Sequence, residues 1–172
     1  MENQKSVKFQ SVQIDLTSVY ELDKYSYSID LALKVLDKFL SNKFNLKSID
    51  SFNIQLTVLS DPEIKEINKD HRQKDKTTDV LSFPMHDNIR NNVYDTFSAE
   101  LLLGDLLISH DTCQRQASEH NISFDDEFIH LMIHGVLHLL GYDHEIDEDE
   151  AKLMFELEDE LLTSASEIKK AP

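Results

Sequence analysis

Apolar residues along this chain recur with two different periods, and the places where the period changes outline its elements. Val7 to Leu16 alternates in part, at Phe9, Val12, Ile14 and Leu16, and predicts a strand, whereas Ile29, Leu33, Leu36 and Leu40 fall on one face of a helix. Phe52, Ile54, Leu56 and Val58 alternate again, as a half-buried strand does. Asp61 and Pro62 then open a helix, Asp as its cap and Pro in its first turn. Val80–Phe83 and Leu101–Ser109 are short apolar runs that fit buried strands, and three helical segments follow at about 109–120, 124–140 and 147–163. The expectation is a single α+β domain over residues 1–172, with a small mixed sheet of about four strands packed with about five helices. Between the last two strands lies the polar stretch Met85 to Ala99, a length of loop that is uncommon without a function or mobility of its own.

Charge alters this picture in one respect. The 172 residues carry 17 Lys and Arg against 33 Asp and Glu, a formal net charge of −16. Residues 1–76 hold 12 basic and 12 acidic groups; residues 77–172 hold 5 and 21. Broad, non-specific affinity for nucleic acid comes from Lys and Arg displacing counterions, so the whole surface is unsuited to it. A basic cluster, Lys65, Lys69, Arg72, Lys74 and Lys76, lies in the neutral part and reads either as a solvated helix end or as a phosphate-binding edge. The last helix is rich in acids, but Leu153, Leu157 and Leu161 recur every fourth residue, which predicts an amphipathic helix whose carboxylates face water. The lone Cys113 has no disulfide partner and reads as a small packing residue. No signal-like apolar run opens the chain and no stretch suits a membrane span, so the expected location is the reducing cytoplasm.

The candidate chemistry is concentrated in His134-Gly-Val-Leu-His138-Leu-Leu-Gly141-Tyr142-Asp143-His144. Residues four apart share a helix face, so His134 and His138 project in parallel. Gly141 can end the helix in a left-handed conformation and return His144 to the same point. Three imidazoles leave the fourth tetrahedral position of a zinc ion open, which is a catalytic arrangement; closed structural sites take four ligands and favour Cys. His130, one turn upstream on the same face, is a candidate to support the ligands or to pack, with ligation of the ion as the lesser alternative. His71, His86, His110 and His120 lack such spacing and read as ordinary, His110 least securely because it follows a strand end. The metzincin peptidases share the spacing, but they carry Glu directly after the first histidine, where this chain has Gly135.

Taken whole, HGVLHLLGYDH resembles the YbeY family of zinc-dependent endoribonucleases, described as rRNA maturation factors. Arg72 through Pro84, RQKDKTTDVLSFP, resembles that family's R-G-K-D-K-P-T-D-V-L-S-F-P stretch, and Leu103 through Ser109, LGDLLIS, resembles its L-G-D-I-V-I-S strand. His130 also matches a histidine often found one turn before the family's metal motif. The likeness covers about residues 50–163; Gln73 stands where the family usually has Gly, and Thr77 where it has Pro.

The resemblance implies one zinc ion on His134, His138 and His144, with Arg72 as the family's functionally important arginine. A guanidinium can clamp a phosphate bidentately and neutralise its developing charge. Lys74 and Lys76 are further candidates for RNA contact, and pairing of Arg72 with Asp75 is the plain alternative. Asp79 and Asp143 are candidates to orient the histidines or simply to cap turns. The implied activity is single-strand-specific, metal-dependent RNA cleavage in rRNA processing (16S rRNA 3′-end maturation) and ribosome quality control, by attack of water or of the neighbouring 2′-hydroxyl. Implied partners are single-stranded RNA, an rRNA precursor and the small ribosomal subunit or its proteins, with neither membrane nor DNA among them. Two alternatives stand beside it: a zinc metallopeptidase with metzincin-like spacing, and a non-catalytic ribosome-assembly factor in which zinc fixes the fold. On this reading the acidity predicts weak general affinity for RNA, with salt-sensitive contacts confined to one basic edge.

Overall fold

The computed structural model describes residues 2–44, 49–91 and 99–171. Among them are five α-helices and one mixed sheet of five strands, β1 (Asn3–Phe9), β2 (Val12–Ser18), β3 (Ser51–Leu59), β4 (Val80–Pro84) and β5 (Glu100–Ser109), ordered β1-β2-β3-β5-β4. The alternation over Val7–Leu16 belongs to two strands, β1 (Asn3–Phe9) and β2 (Val12–Ser18), paired antiparallel. The turn between them is Gln10-Ser11. Gln10 takes a left-handed φ of 45° without a Gly, Asn or Pro to announce it, and the one sequence trace of the turn is the shift in parity of the apolar positions, from Val7 and Phe9 to Val12, Ile14 and Leu16. Asp37 fixes the turn by accepting hydrogen bonds from the Ser11 N–H at 2.9 Å and the Ser11 hydroxyl at 2.6 Å.

β2 pairs parallel with β3 (Ser51–Leu59), and β3 pairs parallel with β5 (Glu100–Ser109). Val12, Ile14 and Leu16 align with Phe52, Ile54 and Leu56, so one sheet face is wholly apolar. Against this face pack α1 (Ser26–Lys43) and α4 (Phe124–Leu139), with α5 (Glu148–Lys170) lying across both helices. Apolar burial of this extent, at about 25 cal/mol per Å² removed from water, is the main stabilising term. α4 is buried on most of its circumference, among the sheet, α1, α3 (His110–His120) and α5. The metal motif is therefore carried by the most constrained helix of the fold.

α2 (Asp61–Arg72) is capped by Ser60 rather than Asp61. Ser60 and Glu63 form a capping box, while the Asp61 carboxylate accepts from Ser109, Thr112 and Arg115 and ties α2 to α3. At its other end α2 stops at Arg72 because Gln73 is left-handed, with φ 57°. β4 (Val80–Pro84) closes the sheet edge antiparallel to β5, and its terminal Pro84 suits an edge.

Candidate metal centre

His134 and His138 lie one turn apart on α4, their Nε2 atoms 3.2 Å apart. The helix then ends in two backbone bonds, Gly141 N–H to the His138 carbonyl and Tyr142 N–H to the Leu137 carbonyl, each 3.0 Å. With Gly141 at φ 95°, this is a Schellman motif, which no β-carbon-bearing residue adopts easily. It reverses the chain so that His144 faces back: its ring centroid is 5.3 Å from that of His134 and 5.2 Å from that of His138. One nitrogen from each of the three histidines lies within 4.8 Å of the others.

The turn is held from outside by the first part of the long polar loop. Arg90, in a single 3₁₀ turn at Ile89–Asn91, donates its N–H to the Leu140 carbonyl at 2.9 Å. Its guanidinium forks onto Glu150 at 2.5 and 3.1 Å and lies over the Tyr142 ring. Residues 92–98 of the predicted 85–99 loop lie outside the described residues.

The acidic last helix departs from expectation in a way that matters here. Its buried stripe is Met154, Glu158, Leu161 and Ala165, and Leu153 is exposed, so Glu158 points inward rather than to water. The His134 Nδ1–H donates to Glu158 at 2.9 Å, which leaves the Nε2 lone pair turned toward His138. His130 joins the same carboxylate at 3.4 Å through Nε2 and reaches the buried Glu127, also at 3.4 Å, through Nδ1. Burial acts to raise the Glu158 pKa, but the hydrogen bonds from His130 and His134 overcome it and bring the carboxyl down to about 2. Burial and the adjacent His134 push His138 down to about 4, so it is neutral and able to donate a lone pair at pH 7. Hydrogen bonding to Glu158 raises His130.

This donor set fits zinc. Tetrahedral zinc with nitrogen ligands at about 2.0–2.1 Å requires ligand separations of about 3.3 Å, and the His134–His138 spacing is already close to that. Three convergent imidazoles, one with its tautomer fixed by a carboxylate, leave room for a further ligand on the open side. That side is a cleft of about 790 Å³.

Arg72 lines the cleft and reaches over it to Glu145 at 3.3 Å, so its ion-pair partner is the residue after His144. Asp75 instead pairs with Lys65 and Lys69. Lys74 and Lys76 are exposed and do not line the cleft. Asp79 lines it, but its carboxylate accepts from Gln116, Thr78 and the Val80 N–H; Asp143 accepts from the Glu145 N–H. Asp143 thus caps a turn and Asp79 ties the start of β4 to α3, and among the described residues neither is hydrogen-bonded to a histidine of the cluster. His110 is buried against Tyr25 and Lys24 and does not line the cleft. Two residues went unmarked by sequence, Glu158 and Phe155, the latter stacked on His144. A solitary acid in the Met154–Leu161–Ala165 stripe was the available sign of the first.

Gly135 decides between two chemistries that share this spacing. A β-carbon there would run into the Leu106 side chain and come 3.2 Å from the Ser82 hydroxyl, because α4 lies directly on β5 and β4 at this point. The position at which metzincins carry their catalytic Glu is here a glycine whose side-chain space is taken by Leu106 of β5.

Over residues 17–166 the sequence matches the family described as Endoribonuclease YbeY. An Endoribonuclease YbeY of Fusobacterium nucleatum is 38% identical over 158 residues, covering 88% of this chain and 93% of that protein. One from Persephonella marina is 46% identical over 114 residues, covering 66% and 71%. The solution structure of TM1509 from Thermotoga maritima superposes with a TM-score of 0.61 at 27% identity, over 94% of this chain and 93% of that one.

Proposed function

The chain belongs to the YbeY endoribonuclease family, and from that premise we propose that it is a zinc-dependent, single-strand-specific endoribonuclease of the cytoplasm. Its substrates are rRNA precursors, its roles 16S rRNA 3′-end maturation and ribosome quality control, and the small ribosomal subunit is its partner. The observation that carries this reading is the convergence of His134, His138 and His144 in a cleft that Arg72 also lines. Those three imidazoles would hold the ion, which when bound supplies Lewis acidity toward a phosphoryl oxygen and lowers the pKa of a coordinated water.

The chain's own groups do the rest. Glu158 keeps the proton of His134 on Nδ1 and so keeps Nε2 available. Arg72 is held over the cleft by Glu145 in an exposed pair, a kind worth only about 0–1 kcal/mol, so exchanging that carboxylate for a phosphate oxygen costs little. A guanidinium placed there neutralises charge as it builds on the non-bridging oxygens. The peptidase alternative lacks a position for its acid, since Gly135 is packed against Leu106.

The test joins elemental analysis to cleavage of single-stranded RNA by wild type, Arg72→Ala and His138→Ala proteins. Wild type should carry one zinc and cleave; Arg72→Ala should keep the metal and lose most of its rate, and His138→Ala should lose both. Cleavage by wild type no faster than by both variants would sink the enzymatic reading. Intact in-cell rRNA maturation by folded, metal-free His138→Ala protein would do the same.

A further inference from the structure

The cleft beside the histidines has a charge pattern that phosphate recognition does not explain. Among the described residues that line it, Arg72 is the single Lys or Arg, against Asp79, Asp87, Asp143, Glu145 and Glu158. Nucleic acid gains affinity chiefly from cations that displace its counterions, so beyond the one phosphate that Arg72 and the ion on the histidines would take, this cleft offers RNA little through the phosphates. It does offer an aromatic ring. Phe155 on α5 lines the cleft and is 49% exposed. Its ring lies on His144 with centroids 5.4 Å apart and planes 24° from parallel. Met154, Leu161 and Ala165 already seat α5 on the core, so helix packing does not call for a phenyl group at this position. Phe83 lines the same cleft, but the His71 ring stands against it at 5.2 Å.

We propose that Phe155 is a nucleobase subsite, stacking a base of the RNA strand next to the scissile phosphate. The proposal rests on the RNA-cleaving function above and deepens it. Stacking is indifferent to phosphate charge and tolerant of sequence, because every base presents a π-face. It also discriminates strandedness: bases in a duplex are stacked on their neighbours and paired, whereas those of a single strand can be splayed onto a protein ring. His144 backs the phenyl group, which pre-orients it. Since His144 is one of the three converging histidines, a base held on Phe155 brings its own backbone to the metal centre and Arg72. Single-strand selectivity in an acidic protein then follows from one exposed ring.

The chain has no Trp, so Phe155→Trp places a lone indole fluorophore at the subsite. The zinc-loaded variant is titrated with a short single-stranded RNA, with an oligomer of the same length whose sugars lack bases, and with a duplex. Quenching is expected with the single strand and little with the other two. In parallel, Phe155→Ala at saturating zinc should raise KM for single-stranded RNA about tenfold and leave kcat within about twofold, while Phe155→Trp keeps the wild-type KM. Zinc content is measured in every protein to detect any loosening of His144. Equal quenching by the base-free oligomer, or an unchanged KM in Phe155→Ala, overturns the subsite and leaves the proposed activity standing. Loss of zinc in Phe155→Ala, with no base-dependent quenching in Phe155→Trp, overturns it in favour of a role in holding His144. If no zinc-loaded protein cleaves RNA, the activity fails, and the fluorescence titration still decides the subsite.

Discussion

Replacing Glu158 with alanine removes the carboxylate that accepts the His134 Nδ1–H at 2.9 Å and also meets His130. Two effects on zinc follow. The His134 ring loses the bond that fixes its rotation, and its proton becomes free to move to Nε2, where it would block the lone pair facing the site. Loss of such a partner typically weakens metal affinity tenfold to a hundredfold, or about 1.4 to 2.7 kcal/mol. Glu158→Gln keeps an uncharged acceptor of the same shape and should fall between alanine and wild type. Competition against a chelator of known zinc affinity at pH 7.5 gives the dissociation constant, and far-UV circular dichroism checks that the variants stay folded. Folded Glu158→Ala protein that binds zinc as tightly as wild type would refute the role given to this carboxylate.

Four further outcomes are expected. Gly135→Glu should destabilise the protein by more than about 2 kcal/mol in urea unfolding, from overpacking against Leu106 and burial of a charge, and should confer no peptide cleavage. Gln73→Gly should stabilise by about 1 kcal/mol and raise Tm by a few degrees, because a left-handed residue after a helix favours glycine; a lower Tm would contradict the strain assigned there. Burial pushes the Cys113 thiol up to about 12. Because the thiolate is the reactive form, alkylation should stay slow at pH 8 to 9, where a free cysteine ionises, and reach the usual rate only after denaturation. Finally, with Arg72 as the one Lys or Arg among the described residues lining the cleft, the KM for single-stranded RNA should vary with salt with a slope near the ~0.7 expected for one phosphate contact; a slope near ~2 would restore Lys74 and Lys76 as contacts.

The readability of this chain divides by distance along it. Within the eleven residues His134–His144 the spacing alone fixed what converges, because one helix turn and one glycine reversal are local geometry. Strand β3 was readable too, since Phe52, Ile54, Leu56 and Val58 alternate with partly exposed neighbours, but its parallel pairing with β2 and β5 was not. The β1–β2 hairpin was not, since Gln10 adopts its left-handed turn without a turn-forming residue type. Glu158 and Phe155 were hidden for another reason. The faces they occupy are defined by where α5 crosses α4, and a rotation of the apolar stripe by one residue, from Leu153 to Met154, changes which acid is buried. Arg72 was marked by its motif, but its partner Glu145 is 73 residues away and only the tertiary fold pairs them.

The charge distribution gains meaning from that crossing of helices. Much of the acidity sits on α5, the helix that supplies both Glu158 to His134 and Phe155 to the cleft. An inward carboxylate at this point fixes the orientation and tautomer of the His134 imidazole, and outward carboxylates repel a phosphate chain that is not otherwise held. These two effects oppose each other for RNA affinity but act together for selectivity. A strand that binds only through bare electrostatics is turned away, while one that can place a base on Phe155 and a phosphate between Arg72 and the histidines gains contacts that the surrounding acids do not cancel. On the proposed activity, the net charge of −16 acts as a filter against indiscriminate cleavage, and correct positioning by a ribosomal partner supplies the affinity that the surface withholds.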